Sequence, residues 1–137
     1  KEKDYIQFDD VMQESQFMGV KPVLDEVMPI ALEAPLFSRE LKMAGRVDCV
    51  GLFENRLSII DFKTSSKFKT EEMAKPWFVQ MTAYAIMVEE LTNEPIEEIT
   101  AIVAMEDGNF QLFSADPGDY VEQLYSLRQQ YRNLYGV

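Results

Sequence analysis

Two aspartates and a lysine are the residues whose types and spacing suit chemistry at a metal ion. Asp48 lies in the apolar run 43–53, and Asp61 and Lys63 lie at the end of a second apolar run, 56–64. The chain contains no histidine and a single cysteine. This composition excludes imidazole zinc sites, serine–histidine nucleophiles and four-cysteine iron–sulfur clusters. Any catalysis must therefore use carboxylates, amines, hydroxyls and hard metal ions.

A β-hairpin would bring the two aspartates together. The two apolar runs are predicted strands, and Glu54-Asn55 between them is the predicted turn. A turn centred between these residues places Asp48 directly opposite Asp61, with Cβ atoms ~5 Å apart. A register slip of one residue would move the aspartates to opposite faces of the hairpin.

Side-chain alternation assigns the neighbours of Asp61 to the two faces of its strand. Ile59 and Lys63 share the face of Asp61, because residues two apart in a strand point to the same side. Ile60 and Phe62 share the other face, which is apolar and is expected to pack into the core.

Two carboxylates facing each other on neighbouring strands repel. Like charges at directly opposed positions are destabilising, and removal from water adds to the cost unless one group is protonated or a cation is bound. A hard divalent ion such as Mg²⁺ suits oxygen ligands and keeps waters and phosphate oxygens in its remaining positions. The alternative is a salt-bridge network in which Lys63 pairs with one aspartate.

The charge distribution bears on the kind of partner. The net charge of −11 argues against a nucleic-acid-binding surface over the whole chain. Residues 33–80, however, carry 8 basic and 7 acidic groups, whereas the flanks 1–32 and 81–137 are strongly acidic. The segment that carries the two aspartates and the lysine is therefore nearly neutral. The acidic flanks alternatively serve only to keep the protein in solution.

The remaining pattern predicts one domain of α/β class, with a mixed sheet flanked by helices. The order of predicted elements is helix, three strands, helix, two strands, helix. Before the hairpin described above, the pattern predicts a helix over Lys21–Val27 that Pro29 ends and a strand over Ile30–Phe37. After it come a polar loop or helix approach over 65–75, a helix over Pro76–Leu91, and a second hairpin of Glu98–Met105 and Phe110–Ser114 around Asp107-Gly108. Asp116-Pro117 caps a last helix, whose apolar face consists of Tyr120, Leu124, Leu127, Tyr131 and Leu134.

Three short motifs now show a family resemblance. Gly45-Arg46-Val47-Asp48 followed by Ile59-Ile60-Asp61-Phe62-Lys63-Thr64 resembles the G-x-x-D…D-x-K core of PD-(D/E)XK nucleases. Gln80-Met81-Thr82-Ala83-Tyr84 resembles the Q-x-x-x-Y motif of the RecB-like exonuclease branch. This branch includes the RecB and AddAB nuclease domains and the mitochondrial genome maintenance exonucleases with their phage relatives. The resemblance implies a restriction-endonuclease-like core.

The resemblance also implies roles for residues. Asp48 and Asp61 would bind Mg²⁺ or Mn²⁺ with the backbone carbonyl of Phe62, and Lys63 would orient or activate the attacking water. Gln80 and Tyr84, four residues apart on one helix face, would line the site, unless they belong to an ordinary amphipathic helix. The residues predicted to contact DNA are Arg46, Thr64, Ser65 and Lys67. Phe68 or Trp77 could stack on bases, and each is alternatively an aromatic that packs in the core or on the surface.

The chain departs from the family in two respects. Many RecB-like members carry a metal-binding histidine on a helix before the first strand, and this chain has none. Either that helix lies outside this chain, or an acid such as Glu14, Glu26 or Glu33 replaces the histidine as a metal ligand. Of the three acids, Glu33 is the predicted ligand, and alternatively it is only a solvated residue of an edge strand. The cysteines of the iron–sulfur members are also missing, which favours the cluster-free exonucleases.

The function expected from the resemblance is metal-dependent hydrolysis of DNA by an exonuclease acting on single-stranded ends in replication, recombination or repair. The alternatives are a structure-specific endonuclease with the same site and a non-catalytic interaction module of the same fold. No apolar run could cross a bilayer and no signal peptide is visible, so an intracellular location is expected: the cytoplasm, a phage-infected host cell or the mitochondrion. Because the chain does not begin with Met, we expect a fragment or an incompletely covered chain.

Overall fold

The computed structural model describes residue 19 and residues 21–136. In this part of the chain, five strands form one mixed sheet in the order β1-β2-β3-β4-β5. The elements are β1 (Val27–Ser38), β2 (Met43–Phe53), β3 (Arg56–Ser65), α1 (Glu71–Thr92), β4 (Glu98–Met105), β5 (Phe110–Ala115), a 3-10 turn (Pro117–Tyr120) and α2 (Val121–Tyr135).

Helix α1 makes the crossover between β3 and β4, which are the parallel pair of the sheet, and the other neighbouring strands are antiparallel. The predicted α/β class, with a mixed sheet flanked by helices, is confirmed. No helix among the described residues has both the length and the hydrophobicity needed to cross a membrane.

The hairpin of β2 and β3 has the predicted register. Phe53 pairs with Arg56, and the pairing continues to Cys49 opposite Ile60. Glu54 and Asn55 form the turn with φ of 53° and 62°. Positive φ at both central residues is the geometry of a tight turn whose twist matches that of the flanking strands. The turn therefore sets the register that brings Asp48 toward Asp61.

Strand β1 is longer than predicted and begins earlier. The described helical residues before β1 are residue 19 and residues 21–24, so the predicted helix over Lys21–Val27 ends before Val27, where β1 starts. The strand runs through Pro29 and Pro35, and its register against β2 shifts between Pro29 and Ala31. Proline is tolerated here because β1 is an edge strand, in which only one side needs ladder hydrogen bonds.

Helix α1 begins five residues before the predicted start at Pro76. Thr70 caps it, since its hydroxyl accepts a hydrogen bond from the amide of Met73 at 3.2 Å, and Glu71 and Glu72 occupy the first turn. These residues satisfy the free N–H groups and the positive end of the helix dipole. The helix continues through Pro76, with Ala74 and Phe78 buried on either side of it, so the predicted loop over 65–75 ends at Thr70.

Two apolar layers lie on opposite faces of the sheet. Ile59 belongs to the layer under α1, and Ile60 belongs to the layer on the other face, together with Val23 and Val27. Phe62 was predicted to pack with Ile60, but it is 41% exposed. The alternation of the strand identifies the face of Phe62, but it does not reveal how much of that face is covered at this residue.

The final helical segment also departs from its prediction. Asp116 caps the 3-10 turn rather than α2, with its carboxylate accepting from the amide of Gly118 at 2.8 Å. Of the predicted apolar face, Leu124 is buried and Tyr120 is half-buried, whereas the three residues nearer the end of α2 are exposed, namely Leu127, Tyr131 and Leu134. The periodicity predicted the helix, but only the start of α2 packs against the rest of the fold.

A buried serine ties the turn between β1 and β2 to α1. The hydroxyl of Ser38 donates to a carboxylate oxygen of Glu90 on α1 and accepts from the amide of Leu41 at 2.9 Å. Ser38 and Leu41 are both buried. This contact holds the beginning of β2, and therefore the strand of Asp48, against the helix that covers the site.

Candidate active site

The site begins where the pairing of β2 and β3 stops. The backbone ladder between the two strands ends at Cys49 and Ile60. One residue further, a carboxylate oxygen of Asp48 accepts a hydrogen bond from the amide of Phe62 at 2.9 Å. A side chain thus replaces the next backbone partner, and Asp48 lies close enough to the carboxyl group of Asp61 to raise its pKa. The two aspartates meet, as the hairpin predicted.

Asp61 is the more strongly perturbed of the two acids. Its side chain is 18% exposed, and burial raises its pKa from 3.8 to about 6. Asp48 adds to the rise, because it can accept a hydrogen bond from the protonated form of Asp61 and its charge repels the ionised form, while Lys63 opposes the rise. The pair of carboxyl groups therefore binds a proton more readily than two separate aspartates would, and the same crowding favours a bound cation.

Lys63 forms an ion pair with Asp61. The ammonium nitrogen of Lys63 lies 3.0 Å from Oδ2 of Asp61 and 5.2 Å from the centre of the Trp77 ring. Through the ion pair, Lys63 lowers the pKa of Asp61, although burial and Asp48 raise the pKa by more. Lys63 therefore offsets only part of the cost of burying the Asp61 carboxylate beside a second acid.

The donor set fits an oxygen-seeking divalent ion. Mg²⁺ is commonly held by one or two carboxylates and takes its other ligands from water and substrate phosphates. Asp48 and Asp61 supply such a pair of neighbouring carboxylates. No group of three or more acidic, histidine or cysteine side chains with metal-binding spacing occurs within residue 19 and residues 21–136.

The two predicted additional acids within the described residues, Glu26 and Glu33, do not join the two aspartates. Glu33 is exposed and adopts a left-handed backbone conformation with φ of 47°, and Glu26 is exposed in the turn before β1. Glu14 lies outside the described residues. The carbonyl of Phe62 stays a predicted ligand. The amide of the same residue is hydrogen-bonded to Asp48, so the backbone at Phe62 lies next to the site.

The glutamine and tyrosine of α1 reach the same site. The Gln80 side-chain amide donates to the Tyr84 hydroxyl at 3.0 Å. Burial raises the pKa of Tyr84, and the negative charges of Asp61 and Asp48 add to the rise, so the phenol lies within the field of both carboxylates. The helical spacing of the two residues places them together as predicted.

Gly45 explains how the tyrosine fits. A Cβ atom at this position would lie 2.7 Å from a ring carbon of Tyr84, closer than real Cβ atoms approach. The glycine three residues before Asp48 therefore leaves room for the ring that α1 brings down onto β2. The three sequence motifs are thus connected by packing as well as by chemistry.

The four residues predicted to contact DNA differ in whether their side chains are free to bind a ligand. Arg46, Thr64 and Lys67 are exposed. The Ser65 hydroxyl is engaged within its own loop, where it donates to the carbonyl of Lys67 at 2.6 Å and accepts from the amide of the same residue at 3.1 Å.

Of the two predicted stacking aromatics, Trp77 is packed and Phe68 is open. The ring of Trp77 meets Phe113 edge-on with centroids 6.1 Å apart and lies beneath Lys63. Phe68 is 67% exposed. The sequence prediction missed Phe113 as the support of Trp77, and the apolar position in a short strand carried no signal of that contact.

Comparison with known proteins gives the same assignment. A model of the PD-(D/E)XK nuclease superfamily matches residues 7–133. A search of curated proteins finds no match. The matched range includes all five strands and both aspartates, and members of this superfamily generally use divalent metal ions to hydrolyse DNA. Because the match extends over nearly the whole chain, the protein belongs to the PD-(D/E)XK nuclease superfamily.

Proposed function

We propose that this protein is a Mg²⁺- or Mn²⁺-dependent exonuclease of the RecB-like branch that hydrolyses DNA phosphodiester bonds at single-stranded ends, in replication, recombination or repair. The observation that carries the proposal is the largely buried carboxyl group of Asp61, which lies beside Asp48 and whose pKa is raised to about 6. A bound metal ion would offset the repulsion between the two acids. The bond between Gln80 and Tyr84 supports the RecB-like branch.

Each residue of the site has a role in such a reaction. Asp48 and Asp61 would hold the metal, with the carbonyl of Phe62 as a further ligand. When bound, the ion would supply Lewis-acid activation of the phosphoryl group and of water. Lys63, whose ammonium already lies beside Asp61, orients the attacking water and neutralises charge that develops on the phosphate. Tyr84 and Gln80 direct their polar groups toward the same phosphate.

The direct test uses labelled linear single-stranded DNA with Mg²⁺ or Mn²⁺. The wild-type protein should shorten the DNA, and Lys63→Ala should abolish the reaction. Lys75→Ala is the matched control, because Lys75 is an exposed lysine at the start of α1 that pairs with Glu72 at 2.9 Å, away from the site. Equal cleavage by wild type and Lys63→Ala would remove Lys63 from the mechanism.

Two further measurements separate the alternatives. Cleavage of circular single-stranded DNA would indicate an endonuclease, because an exonuclease requires an end. Calorimetric titration with Mn²⁺ should show binding to the wild-type protein and a large loss of affinity in Asp61→Asn. Absence of both Mn²⁺ binding and cleavage would instead indicate a non-catalytic module of this fold.

A further inference from the structure

The loop between β3 and α1 presents an aromatic side chain between two lysines. Lys67, Phe68 and Lys69 follow Lys63 by a few residues, in a chain whose net charge is −11. Phe68 is 67% exposed and Lys67 is exposed. This loop therefore combines a free aromatic surface with positive charge, although the protein as a whole is strongly acidic.

The loop is fixed at both ends. At its start, the Ser65 hydroxyl bonds to both the carbonyl and the amide of Lys67. At its end, the side-chain amide of Gln111 on β5 accepts from the Lys69 amide at 2.8 Å and donates to the Lys69 carbonyl at 3.0 Å. Phe68 lies between these two attachments, so little conformational entropy remains to be lost when a ligand contacts it.

Strand register places this loop beside the active site. Lys63 pairs with Val103, and Val103 pairs with Gln111, so the three residues form one row across β3, β4 and β5. Neighbouring strands are about 4.8 Å apart, which puts the Cα atoms of Lys63 and Gln111 about 10 Å apart. Val103 lies in the apolar layer under α1, so the row belongs to the sheet face of the active site.

We propose that Phe68 is a stacking platform for a base of the single-stranded DNA that occupies the active site, with Lys67 and Lys69 contacting the phosphates on either side. Base–aromatic stacking combined with positive charge along the backbone is the usual way in which single strands are bound without sequence preference. A base in duplex DNA has both faces covered by its neighbours, so this loop favours single strands or frayed ends. The inference rests on the proposed function for the position of the scissile phosphate.

Binding is measured by fluorescence anisotropy with a labelled single-stranded oligonucleotide in the presence of a chelator, so that no cleavage occurs. Phe68→Ala should raise the Kd about 5- to 150-fold, the range expected for the loss of one stacked base. Phe68→Trp should retain binding. Phe37→Ala is the matched control, because Phe37 is a phenylalanine 59% exposed on β1, outside the site, and its loss should leave the Kd unchanged.

Two more comparisons test the geometry. Gln111→Leu, which releases Lys69 while Phe68 is unchanged, should raise the Kd for single strands. An oligonucleotide with an abasic site moved through successive positions should bind wild type more weakly at one position only, and at that position Phe68→Ala should cause no further loss.

The outcomes distinguish this inference from the proposed function. Wild-type affinity in Phe68→Ala, or an equal loss in Phe37→Ala, overturns the stacking platform, whether or not the protein cleaves DNA. If Phe68→Ala loses single-strand binding while the wild-type protein cleaves no DNA with Mg²⁺ or Mn²⁺, the platform stands and the proposed nuclease activity fails.

Discussion

Asparagine at position 61 should change how the stability of the metal-free protein depends on pH. Burial raises the pKa of Asp61 from 3.8 to about 6, so between these values the native protein holds a proton that the unfolded chain has released. The free energy of unfolding of the wild type therefore falls as pH rises through this window, and the loss is complete above it. Asparagine has the shape of aspartic acid and no charge, so Asp61→Asn lacks this dependence.

The size of the effect follows from the pKa shift. One pKa unit corresponds to about 1.4 kcal/mol, so the whole shift of Asp61 is worth about 3 kcal/mol. Between about pH 5 and about pH 8, about half of this remains to be lost. The advantage of Asp61→Asn over wild type should therefore increase across that range, because the asparagine variant lacks the proton that native Asp61 releases there.

The assay is urea unfolding in the presence of a chelator, followed by the fluorescence of Trp77, the single tryptophan of the chain. Addition of Mn²⁺ at about 100 times its dissociation constant should then stabilise wild type by about 2.7 kcal/mol and Asp61→Asn by much less. A stability difference that does not change with pH, or that shifts in favour of wild type as pH rises, would refute the reasoning. That result would mean that Lys63 compensates the Asp61 charge completely.

Three other substitutions test the packing of the site. Gly45→Ala should destabilise the protein by about 1–3 kcal/mol in chemical unfolding, and its effect should be smaller in a Tyr84→Ala background, because the added Cβ meets the ring of Tyr84. Ser38→Ala should cost about 1–3 kcal/mol in the same measurement, since it leaves a buried amide without its acceptor. Trp77→Leu should lower kcat several-fold with a small change in KM, and Trp77→Phe should restore most of it, because an aromatic ring under Lys63 favours its ammonium by about 0.5–1 kcal/mol. Unchanged kcat in Trp77→Leu would show that the ring does not position Lys63.

Local chemistry made the hairpin and the pairing of its acids predictable. The turn at Glu54-Asn55 and the flanking apolar residues determine the register of β2 and β3, and period-two alternation then assigns Asp61 and Lys63 to one face. The helical spacing of Gln80 and Tyr84 likewise predicted their contact. Each of these relations depends on neighbours along one hairpin or one helix turn, so the sequence contains them.

The features of the site that only the tertiary structure reveals depend on segments that are distant in sequence. Only the sheet shows that the ladder opens at Asp48, that Gln111 on β5 holds the loop of Phe68, and that Gly45 makes room for a ring from α1. The start of α1 at Glu71 and the exposure of Phe62 were also hidden. An apolar pattern states which face of an element is apolar, whereas burial depends on which distant segment covers that face. The sequence alone therefore determined the chemical groups of the site and their pairing, and the tertiary structure decided what surrounds, supports and desolvates them.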